Sequence, residues 1–249
     1  MEITGYKDKH EYTNKNGITS VVYLMDCMEL LKQVPDKYFE LAVVDPPYGI
    51  GADKKNSTSK VQCKKSAAKS SYFGKQDWDS NIPSEQYFNL LINSSDRKII
   101  WGANYFGLVG GMLYWHKNVT MPTYSDGELA WLSWQNKIDY LELTWHGMLQ
   151  SDMKNKEDRI HPTQKPIKLY EWIFKNYAKP NDKILDTHLG SQSSRIAAAN
   201  MGFNFIGCEL DKDYFDAGNK RFENAMKQQS IFTYEEQTKG QTIELPKLL

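Results

Sequence analysis

The sequence predicts an α/β fold built around a mostly parallel sheet with helices on both faces. Two stretches, about residues 19–48 and 166–227, alternate short apolar runs with segments of helical periodicity, a pattern typical of parallel strands joined by helices. Several of the apolar runs also end in an acidic residue. The chain has 249 residues, of which 40% are hydrophobic, enough for one sizeable core. We therefore expect one domain over residues 1–249.

The first stretch begins with a strand. Thr19–Asp26 is rich in Val, Tyr and Leu, and Cys27–Gln33 follows it as a short helix with one apolar side. Glu40–Asp45 is an apolar run of the kind that is buried on both faces of a parallel sheet. It stops at Pro46 and Pro47, which cannot continue a hydrogen-bonded ladder.

The last third repeats the alternation more clearly. After Pro166, which suits a first helical turn, apolar residues recur at helical spacing as far as Tyr177. A strand at Lys183–Asp186, an Ala-rich helix at Ser193–Asn200, a strand at Phe203–Glu209 and an amphipathic helix at Asp213–Lys227 complete the series.

The middle of the chain differs from both stretches. Arg97–Gly102, Gly111–His116 and Glu128–Trp134 predict strands rich in aromatic residues. A loop at about residues 51–79 has no apolar periodicity and contains seven lysines: Lys54, Lys55, Lys60, Lys64, Lys65, Lys69 and Lys75. It is either a solvated linker or, because it directly follows the strand end at Asp45, a source of cations for phosphates.

Bulk properties narrow the class of protein. The 31 basic and 31 acidic residues cancel, so any basic surface for nucleic acid is local. Cys27, Cys63 and Cys208 form no CxxC pair, which argues against a zinc site or a disulfide framework. The polar start and the lack of an apolar run of roughly 20 residues predict no signal peptide and no membrane span. We expect a cytoplasmic protein.

Four predicted strands end in acidic residues. These are Asp26, Asp45, Asp186 and Glu209. In open parallel sheets, ligands bind beyond the carboxyl ends of the strands. An acid at each of four such junctions therefore predicts a ligand site at one edge of the sheet.

The turn that follows Asp186 favours a nucleoside ligand. Gly190 permits a positive φ or a close ligand approach, and Ser191 and two later serines offer hydroxyls at a helix N-terminus. A simple helix cap is the alternative. Glu209 follows about twenty residues later, the spacing at which an acid accepts hydrogen bonds from ribose hydroxyls. Because the turn is not GxGxxG, a nucleoside carrying a small zwitterion fits better than a dinucleotide.

The segment Asp45-Pro46-Pro47-Tyr48 is suited to activating an exocyclic amine. Such an amine is a poor nucleophile because its lone pair is delocalised into the aromatic ring. The Asp45 carboxylate and the Pro46 carbonyl, aimed by the fixed φ of proline, could both accept its N–H groups. Tyr48 offers an aromatic face to a base swung out of a helix. A Pro-Pro turn that merely ends the strand is the alternative.

At this point the sequence resembles the DNA amino-methyltransferases. Asp45–Tyr48 is similar to their catalytic motif, His161–Pro166 to their HPTQKP motif, and Asp186–Ser194 to their donor-binding turn. The order of the motifs resembles the circularly permuted β group, over residues 20–225. The resemblance implies a Rossmann-like class I methyltransferase fold, with a mostly parallel seven-stranded sheet that contains one antiparallel strand. It also implies S-adenosylmethionine as cofactor, double-stranded DNA as partner and no metal.

The resemblance assigns roles to individual residues. It implies catalysis by Asp45, Pro46, Pro47 and Tyr48. For the donor it implies Asp26 at the adenine, Glu209 at the ribose, and a group near the methionine portion: Gln164, Lys165 (toward its carboxylate), Asp186, His188, Gly190 and Ser191. Residues from Trp101 to Tyr105, with Tyr114 and Trp115, are implied as walls of the target-base pocket.

The chain also departs from the family pattern. In the donor turn Thr187, His188 and Gln192 replace Pro, Phe and a second Gly, and Gln192 adds bulk where the ligand usually approaches. The leading Asp45 favours N6 of adenine, with N4 of cytosine as the first alternative. RNA or a protein glutamine as substrate and a catalytically impaired donor- or DNA-binding module are further alternatives. Target recognition is expected in residues 117–159, a short segment that favours a homodimer.

Overall fold

The computed structural model describes residues 1–51, 79–119, 125–146 and 149–239, with side chains as far as residue 228. Almost all of the Lys-rich loop, residues 52–78, therefore lies outside the described residues. The strands are β1 (Asp8–Thr13), β2 (Thr19–Leu24), β3 (Phe39–Val44), β4 (Ser95–Trp101), β5 (Gly111–His116), β6 (Gly127–Leu132), β7 (Ile138–Glu142), β8 (Trp145–His146), β9 (Leu149–Gln150), β10 (Lys183–Asp186) and β11 (Asn204–Glu209). The helices are α1 (Cys27–Leu31), α2 (Glu85–Ser94), α3 (Ile167–Tyr177), α4 (Ser193–Met201) and α5 (Lys212–Lys239).

The main sheet has nine strands in the order β1-β2-β11-β10-β3-β4-β6-β5-β7. All run in one direction except β1 and β6, which pair antiparallel with their neighbours. The inner seven strands, β2 to β5 in this order, contain one reversed strand. The mostly parallel sheet is as predicted, but in the described residues it has nine strands rather than seven, because β1 and β7 add an edge strand on each side.

Both edge strands escaped the sequence prediction because they bury few side chains. β1 has the polar sequence DKHEYT with no fully buried residue, and β7 buries only Leu141 of its five residues. Strands of this kind show no apolar run. Helix α2 was also missed, although Ser84 caps it by accepting the N–H of Tyr87, and Tyr87 and Leu91 face inward at helical spacing.

The sheet has helices on both faces. Along β3, Leu41 and Val43 belong to one buried cluster, while Ala42 and Val44 belong to another. The first cluster includes residues of α3 and α4, and the second includes residues of α1 and α2. β3 is thus buried on both sides, as its continuous apolar run predicts.

The position of the site follows from the connections of β3 and β10. These two strands are parallel neighbours, with Ile184 opposite Leu41 and Leu185 opposite Ala42. From β10 the chain passes through α4 to β11 on one side, whereas from β3 it passes through α2 to β4 on the other. Because the chain leaves these two neighbouring strands in opposite directions, a crevice opens at their carboxyl ends, where ligands bind in this class of sheet.

Within the described residues, no helix is long and apolar enough to cross a membrane.

Candidate active site

The four predicted acids lie at the carboxyl ends of four adjacent strands. In the sheet order β2-β11-β10-β3, they are Asp26, Glu209, Asp186 and Asp45 respectively. Asp26 also caps α1, where its carboxylate accepts the N–H of Met28 at 2.7 Å. The sheet therefore brings together residues that are up to 183 positions apart in the sequence.

Asp186 organises the turn between β10 and α4. It is buried, and its carboxylate accepts hydrogen bonds from the backbone N–H of His188 at 3.0 Å and the hydroxyl of Ser194 at 2.5 Å. Burial raises the pKa of Asp186 to about 7, against the opposing effect of these two hydrogen bonds. Through these two hydrogen bonds, Asp186 ties the start of the turn to the first turn of α4.

Glu209 retains the capacity to hold a ribose. One carboxylate oxygen accepts the N–H of Gly190 at 2.8 Å, and the other accepts the N–H groups of Leu210 and Asp211, both at 2.9 Å. A carboxylate has about four acceptor positions, so one is left for a ligand hydroxyl. Gly190 itself has a φ of +49°, which carries the turn tightly around the end of β10. These residues fit the nucleoside part of S-adenosylmethionine.

A cavity of about 940 Å³ opens beside the DPPY segment. All four residues from Asp45 to Tyr48 line it, and Gly102, Asn104, Tyr105, Tyr114 and Trp115 form part of the opposite walls. One oxygen of Asp45 accepts the hydroxyl of Tyr48 at 2.6 Å, and the other contacts the ammonium of Lys165 at 2.6 Å. The cavity is in the size range of ligand-binding pockets and has room for a flat heterocycle together with the atoms attached to it.

The HPTQKP segment lies between this cavity and the donor turn. Its first residue, His161, packs against Gly190, where an added Cβ would lie 3.5 Å from the imidazole ring. The amide of Gln164 accepts the N–H of Ile160 at 2.9 Å and donates to the carbonyl of Asp158 at 3.1 Å. At the other end, the ammonium of Lys165 reaches Asp45. The segment thus contacts both halves of the site.

Tyr48 belongs to an aromatic stack at the cavity wall. Its ring lies 4.9 Å from that of Tyr105 with only 17° between the planes, and Tyr105 is 42% exposed. Gly102 makes this position available, since a Cβ there would lie 2.3 Å from Cε1 of Tyr48. Gly102 also has a φ of +77°, which favours glycine.

Comparison with known proteins shows a likeness to DNA methylases. A family model described as DNA methylase, which groups N6 and N4 methyltransferases, matches residues 107–220. This part of the chain is similar to that family. The type II methyltransferase M.HinfI of Haemophilus influenzae is 23% identical to the chain over 257 residues, which cover 84% of this chain and 69% of that protein.

Two solved structures of DNA methyltransferases share the fold. The PvuII DNA methyltransferase, described as cytosine-N4-specific, covers 90% of this chain and 94% of its own at a TM-score of 0.58 and 15% identity. The complex of M1.HpyAVI with S-adenosylmethionine covers 80% and 98% at a TM-score of 0.52 and 22% identity. The predicted class I methyltransferase fold is confirmed.

The structure corrects the expectation that the side chain of Gln192 adds bulk where the donor would approach. Gln192 adopts the left-handed conformation, with a φ of +60°, and its buried side chain points between α4 and α5. There its amide donates to Asn219 at 3.0 Å and accepts from Arg195 at 2.9 Å. Gly218 on α5 leaves the necessary space, since a Cβ there would lie 2.7 Å from the Gln192 amide nitrogen. The bulk is therefore accommodated by the opposite helix.

His188, a second departure from the family turn, is held as a neutral ring. Its Nδ1 lies 3.0 Å from the hydroxyl of Thr187, and its ring packs edge-on against Tyr87 at 5.4 Å. Burial lowers the pKa of His188 to about 4. In the described part of the chain, no group of three or more His, Cys, Asp or Glu residues is arranged to hold a metal ion.

Two residues of the site were missed by the sequence analysis. Asp79 is buried and accepts the backbone N–H groups of Tyr48 at 2.7 Å and Gly49 at 2.9 Å, which fixes the DPPY turn. Its carbonyl accepts the N–H of Gly51 at 3.1 Å, so the two ends of the Lys-rich loop meet beside the cavity. The second is Glu128, at the amino end of β6, which lies 3.0 Å from Lys165. Because β6 is antiparallel, its amino end lies at the edge where the parallel strands end.

Proposed function

We propose that this protein is a site-specific DNA amino-methyltransferase that transfers a methyl group to N6 of adenine in a base flipped out of duplex DNA. The observation that carries this proposal is that Asp45, Pro46 and Tyr48 together line a cavity with room for a base, where the Asp45 carboxylate accepts the hydroxyl of Tyr48. S-adenosylmethionine, when bound, supplies an electrophilic methyl group on a sulfonium sulfur.

The donor is held by the residues that follow β10 and β11. Glu209 offers its remaining acceptor position to the ribose, and the turn around Gly190 and Ser191 brings backbone and hydroxyl groups to the methionine portion. The assignment of Asp26 to the donor adenine stays a prediction. Gln164 and Lys165 were predicted at the methionine end, but the contacts of both side chains are within the protein, so their role at the donor also stays a prediction.

Asp45 and Pro46 activate the target amine by accepting its two N–H groups. These bonds draw the lone pair of the nitrogen out of the aromatic ring and orient it for in-line attack. Each oxygen of Asp45 already has one partner, Tyr48 or Lys165, and retains a second acceptor position. Burial raises the pKa of Asp45. The raised pKa favours Asp45 as the group that takes the proton the amine loses after transfer.

Tyr48 and Tyr105 hold the flipped base. Their stacked rings form an aromatic surface at the cavity, and stacking on such a surface compensates for part of the cost of leaving the duplex. The Lys-rich loop starts and ends beside this cavity, which supports its proposed role in binding DNA phosphates. That role, target recognition by residues 117–159 and the homodimer stay predictions.

The base is decided by analysing DNA from cells that express the protein. Nucleoside mass spectrometry identifies the product, and long-read sequencing gives its position and the target motif. We expect N6-methyladenine with the wild-type protein and none with Asp45→Ala or Asp45→Asn, while both variants still bind S-adenosylmethionine. N4-methylcytosine as the product would instead establish the alternative activity, methylation of cytosine N4, which is the specificity of the PvuII enzyme that shares this fold. Normal donor binding without any methylated base would identify a catalytically impaired module.

Base flipping is tested with 2-aminopurine at the target position of that motif. Its fluorescence should rise when the protein binds, because the base leaves the stack. Tyr48→Ala and Tyr105→Ala should reduce the rise, whereas 2-aminopurine two positions outside the motif serves as the control. No rise at the target position would reject the flipping mechanism.

A further inference from the structure

Glu128 lies at the centre of a group of four charges on one wall of the cavity. One of its oxygens is 2.5 Å from the ammonium of Lys117, and the other is 3.0 Å from that of Lys165 and 3.4 Å from the hydroxyl of Tyr48. Lys165 continues the series to Asp45 at 2.6 Å. The order Lys117–Glu128–Lys165–Asp45 alternates positive and negative charges, and its sum is zero.

We propose that Glu128 is a positioning residue of the methyl-transfer site. Glu128 shares the ammonium of Lys165 with Asp45, and Asp45 therefore remains a strong acceptor for the target amine. This inference rests on the proposed function. It assigns to Glu128 and Lys117 a part in the reaction that the family motifs do not give them.

The first step of the argument is that Lys165 is confined. Its side chain is only 4% exposed, and its ammonium lies 5.1 Å from the ring centre of Trp101 and 5.7 Å from that of Tyr48. If Asp45 were the only carboxylate near this buried ammonium, Lys165 would neutralise most of the negative charge of Asp45. With Glu128 present, the same ammonium divides its hydrogen bonds between two carboxylates. Asp45 therefore keeps more of its negative charge for a ligand.

The second step is that two ammonium groups stabilise the ionised form of Glu128, Lys117 at 2.5 Å and Lys165 at 3.0 Å. Burial by itself would raise the pKa of Glu128, but Lys165 and Lys117 outweigh it and lower the pKa to about 2. Lys117 is also fixed, 5.1 Å above the ring of Trp115. Because residue 117 begins the predicted recognition segment, the charge series connects that segment with Asp45.

The third step concerns the sign of the effect on Asp45. Burial raises the pKa of Asp45, Lys165 lowers it and Glu128 raises it again. The other groups that bear on this pocket are the phenol of Tyr48, the phenol of Tyr170 on α3 and the carboxyl of Asp186 at the end of β10. Removing the charge of Glu128 abolishes a repulsion and frees Lys165 for Asp45. Both changes lower the pKa of Asp45.

Removing Lys117 should have the opposite effect. Glu128 would then lack its second cation and attract Lys165 more strongly, and one positive charge would leave the wall of the cavity. Both changes raise the pKa of Asp45. A purely structural role of these residues predicts no such reversal of sign.

The test measures the pKa of Asp45 by ¹³C-carboxyl NMR in the protein without added DNA, with Asp45→Asn identifying the resonance. Relative to wild type, we expect a lower pKa in Glu128→Gln, a higher pKa in Lys117→Met and a nearly restored pKa in Glu128→Asp. Glu40→Gln is the matched control, because Glu40 lies near the opposite end of β3 and faces Lys183. The rate of single-turnover methylation should follow. In Glu128→Gln the acid limb of its pH profile moves to lower pH, and its plateau falls roughly 2- to 160-fold if the coupling energy of a network member is lost from the transition state.

The inference is overturned if the pKa of Asp45 is unchanged in Glu128→Gln, or if Lys117→Met shifts it in the same direction. If Glu128→Gln does not fold, the higher pKa of Asp45 expected in Lys117→Met still tests the sign. If the variants show the expected pKa shifts but the wild-type protein methylates no DNA, the proposed function is contradicted and the inferred charge arrangement still holds.

Discussion

Gly218 on α5 leaves the space that the side chain of Gln192 occupies, and we expect Gly218→Ala to destabilise the protein. The added Cβ would lie 2.7 Å from both Cγ and Nε2 of Gln192 and 2.8 Å from its Cδ, so one of the two helices must shift. Overpacking of this kind costs about 1–3 kcal/mol. Alanine in place of glycine within a helix contributes about 0.5–1 kcal/mol in the opposite direction. The midpoints of these ranges leave a net loss of about 1 kcal/mol.

The same substitution should become stabilising when Gln192 is glycine. Gln192→Gly removes the clash and leaves a void that the new methyl group partly fills, so only the helix preference and the added packing remain. Gly218→Ala should then raise the free energy of unfolding by about 0.5–1 kcal/mol. Urea unfolding of the four proteins of this double-mutant cycle measures both effects. An equal effect of Gly218→Ala in both backgrounds would refute the packing argument.

Three further predictions concern ligand binding and transfer. Glu209→Ala should weaken S-adenosylmethionine binding in calorimetry by roughly 1.5–3 kcal/mol for each charge-assisted hydrogen bond lost, and normal affinity would disprove its role at the ribose. Gly102→Ala should displace the ring of Tyr48 and abolish methyl transfer while donor affinity is retained; an active variant would contradict the role of this close contact. Four lysines of the loop should be replaced by Gln together: Lys54, Lys55, Lys64 and Lys65. The replacement should weaken DNA binding and reduce the slope of log affinity against log salt concentration, whereas an unchanged slope would make the loop a solvated linker.

The central strands and their acids could be predicted from sequence because their patterns are local. β10 and β5 have the predicted bounds, and β2, β3, β11, α3 and α4 differ from prediction by a few residues at their ends. Each is a continuous apolar run or a helical repeat that ends at a turn residue. The acids that follow β2, β3, β10 and β11 needed only the rule that parallel strands end at one edge.

What could not be predicted depends on the pairing of distant segments. Glu128 lines the cavity only because β6 is antiparallel to β4 and β5, so that its first residues lie where the parallel strands end. No property of the β6 sequence reveals this direction. Lys165 was expected at the donor, yet its ammonium lies on Asp45 and Glu128, 120 and 37 residues away along the chain. The orientation of Gln192 depends on Gly218 in the following helix. In each case the deciding contact lies outside the window that a local pattern covers.

The pairing of β3 with β10 has a consequence for synthesis of the chain. The DPPY segment follows β3, but one of the two neighbours of β3 in the sheet is about 140 residues further along the sequence. Until Lys183–Asp186 has left the ribosome, β3 has an unpaired edge, which is a liability for aggregation. Closing so long a loop is also slow relative to local folding. The cavity beside the DPPY segment therefore forms late in the synthesis of the chain, and a chain interrupted before β10 would contain the whole DPPY motif without the β10 side of the site.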